Sequence, residues 1–504
     1  MAFLGILLLF HPAGLSENAN AILASTVWIA IWWISECIPI AATSLLPIFL
    51  FPLFSDMEIA STTASYGHKY IFIYIGGFML ALAIERWGLH RRIALSIIHL
   101  IGTNIRGIIL GFMVATAFMS MWISNTATSV MMLPIAMAIV SQFKSNPLAE
   151  DREAKQFGKA LMLAIAYSAS IGGMATLVGT PPNLLLAGVI DDLYGIEITF
   201  STWFQFGFPI SVLLLTICWV YLTRVAFRFR RATFPGGREE INRQVRSLGP
   251  ISSEELRVLI VFICTGAAWI LRPYLNSWAL LPMGEAESGF GIDLLIRVKT
   301  IFASLDDTII AVLAGLSLFV LPAAKEKSRA LLNWEEAVKL PWGILLLFGG
   351  GLAIAEGFKS SGLATWIGEQ MTLMDGLSLV LLMLVLIAAI NFLTEITSNL
   401  ATTAMILPTL ASFALAIDVH PYMLMVGATV AASCAFMLPV ATPPNAVVFG
   451  SGYLGMKDMV KTGIWLNLIS ILILTIFSYW ILPLLWDFSP ERFPSGWVSA
   501  ELMP

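Results

Sequence analysis

Residues 124–134 read SNTATSVMMLP, and residues 398–408 read SNLATTAMILP. Seven of these eleven positions carry the same residue. A second pair of motifs follows, Thr180-Pro181-Pro182-Asn183 after the first and Thr442-Pro443-Pro444-Asn445 after the second. Glycines precede both in the same order, Gly76-Gly77 and Gly349-Gly350-Gly351, with 47 residues from Gly77 to Ser124 and 48 from Gly350 to Ser398. One unit has been built twice. Each motif also breaks a helix. Ser and Asn are N-cap residues, and tandem prolines cannot continue the i→i−4 ladder. One such motif alone reads as a cap or a kink, whereas four in a repeated order point to a site.

The surroundings make these breaks unusual. AVILMFWYC make up 58% of the 504 residues and DEKR only 12%; soluble domains run at about 45–50% and about 25%. That excludes a soluble enzyme and a disordered chain, and a net charge of −4 offers no basic footprint for nucleic acid. At ~20 residues per crossing the chain has room for about a dozen membrane helices. Apolar runs recur throughout, and the shorter ones pair up around Ser124, Pro181, Ser398 and Pro443. This predicts re-entrant hairpins over 107–142 and 376–418 and broken helices over 157–191 and 421–454. Met1–Phe10 reads as a short first membrane helix rather than a cleaved signal. Cys37, Cys218, Cys264 and Cys434 form no CxxC pair and read as small buried hydrophobes.

Charge orders the spans. Twenty-two of the 28 basic residues fall in five loops, the richest running from Arg224 to Arg257. Taken as cytoplasmic by the positive-inside rule, these loops predict eleven crossings plus two hairpins, with the N-terminus inside and the C-terminus outside. The halves, 1–227 and 257–504, then insert with opposite orientation, joined by a polar cytoplasmic linker over 228–256. The first hairpin opens inward and the second outward. His90–Leu100 reads as an amphipathic helix in the membrane interface. Tyr274–Ser304 reads as an external insertion.

Ser and Thr hydroxyls, the Asn carbonyl and carbonyls freed at helix breaks are hard oxygen donors that suit Na⁺. Amide and hydroxyl groups at half-helix N-termini suit an anion. No Lys, Arg or His lies in the four motifs. Co-bound cations are therefore the natural counter-charge for a dianion, since two unit charges ~4 Å apart interact by roughly 4 kcal/mol at an effective dielectric near 20. Among the membrane acids, Glu395 has two readings, tuning a cation site or holding the hairpin by hydrogen bonds. Glu36, Glu85 and Glu356 read as structural or interfacial. No HExxH pair, nucleophile elbow or P-loop is present, so the chain reads as no enzyme, with no cofactor beyond sodium as coupling ion.

At these motifs the sequence resembles the divalent anion–sodium symporter family. Two SNT motifs and the stretch from Ser433 to Gly452, SCAFMLPVATPPNAVVFGSG, are its hallmarks, and residues 32–53 and 76–95 match as well. The resemblance covers nearly the whole chain. It implies an all-α polytopic membrane protein of eleven helices and two re-entrant hairpins. It also implies a homodimer in the cell membrane, the bacterial inner membrane among them, working as an elevator. The implied substrates are di- and tricarboxylates such as succinate, malate, fumarate and citrate, or sulfate in some members. Carried onto this chain, the first sodium site uses Ser120, Ser124, Asn125 and a carbonyl near Gly173. The second uses Thr394, Thr397, Asn399 and a carbonyl at Ala441. Substrate carboxylates meet Asn125, Thr126, Ser398, Asn399, Thr442 and Pro443. The chain departs from the pattern at Leu400, which stands where the second motif has Thr. A sodium-independent dicarboxylate exchanger and an oxyanion carrier of the same fold stand as alternatives.

Overall fold

The computed structural model describes residues 2–101, 104–144, 151–227, 229, 237–281, 290–324, 329–371 and 378–497. Most of the linker stretch 228–236, with Pro235-Gly236, and the loop lysines Lys325 and Lys327 lie outside the described residues. So does the start of the expected second hairpin at 376–377.

Apart from one isolated bridge, Pro322 with Ala330, the regular structure of the described residues is helical. The helices that carry the argument are α1 (Glu17–Ser35), α2 (Lys69–Arg86), α3 (Leu89–Ile101), α4 (Ile105–Ser120), α5 (Asn125–Lys144), α6 (Asp151–Gly173), α7 (Pro181–Tyr194), α8 (Phe200–Val220) and α9 (Gly237–Ser247). They continue with α10 (Ser253–Leu280), α11 (Asp307–Val320), α12 (Trp342–Ser360), α13 (Leu379–Leu393), α14 (Asn399–Ala416), α15 (Pro421–Ala432), α16 (Pro443–Phe449) and α17 (Met456–Ile476). Among the described residues seven helical stretches are long and apolar enough to cross a membrane, and one bent pair makes an eighth. The apolar helices that fall short include α4, α13 and α15, each of which ends at a motif break. Interruption, not lack of apolar sequence, shortens them.

Helices are interrupted at all four motifs. α4 and α5 meet at residues 121–124, and α13 and α14 meet at 394–398. α6 breaks before α7 over 174–180, and α15 breaks before α16 over 433–442. The helices leading into the two breaks are the deepest in the molecule. Every residue of Pro421–Ala432 is buried, and Ala160–Ala166 of α6 are wholly enclosed. A helix apolar on all sides has no face for water or lipid and takes the centre. Around this core stand α1, α2, α10, α11 and α12. α2 and α11 meet along Gly76, which the backbone of Ala311 crowds so closely that no Cβ fits.

Five expectations change. The linker boundary at 256 falls inside α10, which starts at Ser253 under a capping box of Ser252 and Glu255. The polar stretch before it also folds, as α9, a helix polar on one face and packed on the other. The insertion 274–304 begins as a continuation of α10 to Leu280, and a further helix, Phe290–Ala303, packs against α10. At the N-terminus the helix is Ala2–Leu9, about 12 Å at 1.5 Å per residue, too short to cross. Cys37 and Cys264 are exposed, while Cys218 and Cys434 are buried, and all four are free.

Candidate functional site

The two hairpin tips and the two helix breaks converge on one cavity of about 960 Å³. Ser124, Thr180, Ser398 and Thr442, the residues that precede α5, α7, α14 and α16, all line it. Helix N-termini therefore face this space from both repeats, each carrying about half a unit of positive charge. Of the expected residues, Ser124, Asn125, Thr126, Thr397, Ser398, Asn399, Leu400, Ala441, Thr442 and Pro443 line the cavity. Ser120, Gly173 and Thr394 do not. They lie behind the wall, fully enclosed.

Those enclosed residues form two matching clusters. Ser120 Oγ lies 2.5 Å from Asn125 Oδ1 and 2.7 Å from the Ala169 carbonyl. Thr394 Oγ1 lies 2.7 Å from Asn399 Oδ1 and 2.8 Å from the Ala432 carbonyl. Each hydroxyl has one proton and two oxygen acceptors, so each cluster is one donor short. Such a surplus of oxygen lone pairs, out of water, is what a hard cation completes. Gly173 makes room for the first cluster: a Cβ there meets Asn125 Oδ1 at 2.5 Å, so any side chain dislodges the amide.

The breaks are tied down by amides. Asn183 Nδ2 donates to the carbonyls of Gly173, Met174 and Thr176. Asn445 Nδ2 donates to those of Ala435 and Leu438. This is the role of the Asn in each TPPN motif: it satisfies main-chain carbonyls at the helix end and within the break. Its Oδ1 is buried without a partner in both cases.

Glu395 takes the second of its two readings. Its carboxylate accepts from the backbone N–H groups of Phe436, Met437 and Leu438 at 2.8, 2.9 and 2.9 Å, and from Asn467 Nδ2 at 2.7 Å. It anchors the broken helix to the hairpin. Ser398 caps α14 without a side-chain hydrogen bond, whereas Ser124 Oγ accepts from the Ala127 N–H. Thr397 bonds the Leu393 carbonyl at 2.9 Å and the Thr402 hydroxyl at 2.5 Å.

The far wall escaped the sequence reading. Tyr74 and Phe78 of α2, stacked 5.1 Å apart, line the cavity with Ile344 and Leu347 of α12. Both pairs sit within a turn or two of the glycine clusters, which was the available signal. The sequence places Glu36 in a structural or interfacial role. Glu36 does cap α1, with φ 47, yet it also lines the cavity, where it is the one charged residue. No Lys, Arg or His stands among the lining residues.

A helical membrane fold with a donor-rich cavity free of basic side chains at paired helix breaks defines a multi-pass membrane transport protein rather than an enzyme. The comparisons give the family. The chain belongs to that of the sodium:sulfate symporter transmembrane region, whose family model matches residues 1–486, in agreement with the motif resemblance. It is 44% identical over 488 residues to the sodium-dependent dicarboxylate transporter SdcS of Staphylococcus saprophyticus, covering 96% of this chain and 90% of the relative. With the protein of that name from Staphylococcus aureus it shares 44% over 487 residues, at the same coverage. Two solved structures share the fold at low identity. One is the Alcanivorax borkumensis YdaH transporter, with TM-score 0.55 and 14% identity over 91% of this chain and 99% of that one. The other is MtrF of Neisseria gonorrhoeae, titled for a class of antimetabolite efflux pumps, with TM-score 0.53 and 13% identity over 93% and 96%.

Proposed function

We propose that this protein imports dicarboxylates of the succinate, malate and fumarate class, coupled to sodium ions. The observation that carries the reading is the pair of donor-poor oxygen clusters, Ser120–Asn125–Ala169 and Thr394–Asn399–Ala432, set behind a cavity without basic side chains. A dianion entering that cavity has helix N-termini and amides to bind, but no protein cation to balance its charge. Sodium ions at the two clusters supply that balance. The likeness to the staphylococcal sodium-dependent dicarboxylate transporters supports both the ion and the substrate class.

In this reading the first ion is held by Ser120, Ser124, Asn125 and a carbonyl at Gly173. The second is held by Thr394, Thr397, Asn399 and a carbonyl at Ala441. Asn125, Thr126, Ser398, Asn399, Thr442 and Pro443 receive the carboxylates, and Leu400 shapes one end. The hydroxyl protons of Ser120 and Thr394 turn to the Ala169 and Ala432 carbonyls when an ion takes the lone pairs. The halves are inverted repeats in the cell membrane, and two copies form a dimer. The motif-bearing helices slide against α1, α2, α10, α11 and α12 as an elevator once ion and anion charges cancel.

The test is radiolabelled succinate uptake into proteoliposomes, with and without an inward sodium gradient. Uptake only with the gradient supports the symporter. Uptake driven by preloaded dicarboxylate and indifferent to sodium makes it an exchanger. Sulfate uptake without succinate uptake makes it an oxyanion carrier.

A further inference from the structure

A second cavity, of about 510 Å³, lies between α3, α5 and α9, away from the motifs. Its two long walls share a period and differ in character. On α5, Met131, Pro134, Ile135 and Ala138 form an i, i+3, i+4, i+7 stripe that is apolar throughout. On α9, Glu240, Arg243, Gln244 and Ser247 form the same stripe, polar throughout. Neighbouring helices close by setting apolar against apolar at close-packed density, and these two do not.

The reason is that α9 uses its apolar side elsewhere. Ile241 is buried in the main core, with Val245 and Leu248 packed against it. Arg92 of α3 holds α9 in that orientation. Its guanidinium donates to the carbonyls of Leu248, Gly249 and Pro250 and pairs with Glu255. The adjacent Arg91 points to the other side, is exposed, lines the cavity and makes no ion pair among the described residues. Glu240 is already engaged, by Arg243 at 2.6 Å and by Gln244 at 3.1 Å. The lining thus holds two guanidinium groups and one carboxylate, a surplus of one positive charge.

We propose that this cavity holds an anionic phospholipid, with acyl chain along the α5 stripe and phosphate between Arg91 and the polar edge of α9. An apolar wall, a polar wall and a surplus positive charge are together the complement of an amphiphile with a negative head. α3 is itself basic at one end, with Ala94, Leu95 and Ile98 buried on one face, the type of helix that lies at headgroup level. Basic pockets at that level select anionic heads. The proposal needs only a membrane protein and is independent of the substrate and ion assigned to the central cavity.

The test uses delipidated full-length protein in detergent, titrated with phosphatidylglycerol or phosphatidylcholine and read by native mass spectrometry. The wild type binds its first phosphatidylglycerol about fivefold more tightly than phosphatidylcholine, about 1 kcal/mol for the one surplus basic group. Arg91→Gln, at an exposed position, unfolds at the wild-type temperature and loses most of that preference, with phosphatidylcholine binding unchanged. Ala138→Phe fills the apolar wall and weakens both lipids. Soluble glycerol phosphate, the head without chains, does not compete. If Arg91→Gln keeps the full preference, or if glycerol phosphate displaces the lipid, no phospholipid site exists there.

Discussion

The two helix breaks face the same cavity and are held by different chemistry. In the first half the hydroxyl of Thr176 donates to the Met121 carbonyl at 2.5 Å, one link between hairpin and break. In the second half the matching position is Glu395, since Ser120 and Thr394 precede the two residues in equivalent clusters. There a carboxylate gathers three backbone N–H groups and the Asn467 amide. The hydroxyl–amide–carbonyl clusters and the TPPN amide ties are duplicated, but the link between hairpin and break is not. A repeat keeps what contacts the ligand and is free to change what supports it, because a released N–H or carbonyl accepts any partner of the right polarity.

The sharpest test of that comparison asks whether the duplicated parts are equally necessary. Asn125→Ala and Asn399→Ala each remove the amide oxygen that shares the hydroxyl proton. Each is expected to lower sodium-driven succinate uptake by about 100-fold or more while leaving a folded protein by size exclusion. If either variant transports normally, the equivalence of the clusters is lost.

The differing supports are expected to show in stability rather than transport. Glu395→Ala strands the N–H groups of Met437 and Leu438 and the Asn467 amide, at about 1–3 kcal/mol for each group left bare, while the Phe436 N–H keeps Asn467 Oδ1 at 3.2 Å. Thr176→Val removes one link and costs about 1–2 kcal/mol. Thermal unfolding in detergent should therefore drop much further for Glu395→Ala. Equal drops would mean that the carboxylate adds nothing beyond a single bond. Glu395→Gln, which keeps one acceptor oxygen, is expected to recover part of the loss.

A third, smaller effect separates the halves at their glycine. Counting back ten residues from the Asn of each TPPN motif pairs Gly173 with Ala435. The second half already carries a Cβ where the first cannot. Gly173→Ala should push Asn125 aside and weaken sodium activation of uptake by about tenfold, roughly 1.4 kcal/mol, without altering unfolding. An unchanged sodium dependence would remove Gly173 from the ion site.

The smallest expected change is at Leu400, buried at the cavity wall opposite Thr126 in the motif register. Leu400→Thr restores the hydroxyl that the first motif has, and is expected to shift competition among succinate, malate and citrate by a few-fold, about 1 kcal/mol for one neutral hydrogen bond. An identical competition profile would show that position 400 does not read the substrate.

Much of this was legible beforehand. Asn125 and Asn399 stand in the motifs, Ser120 and Thr394, four residues ahead of the motifs, came with the family resemblance, and the prolines announce the breaks. The partners that complete the clusters were not legible, because they are the main-chain oxygens of Ala169 and Ala432. A carbonyl belongs to every residue and leaves no mark in composition. The frame wall at Tyr74, Phe78, Ile344 and Leu347 was hidden for a related reason: aromatic and aliphatic side chains in a membrane helix look alike whether they face lipid, core or cavity. The polar linker misled in the opposite direction. α9 has too few apolar residues to read as a packed helix, yet Arg92 and one narrow apolar edge suffice to dock it.

By itself the sequence determined the class of molecule, the duplication, the places where helices break and the residue types offered there. These follow from local rules: apolar length, helix capping and the missing N–H of proline. Only the tertiary structure decided which of those residues face the cavity, which sit behind it short of a donor, and that Glu395 secures a backbone. Those outcomes depend on which chain segments are brought within hydrogen-bond reach, over separations such as the 42 residues from Glu395 to Met437 or the 72 to Asn467, and no local rule carries that far.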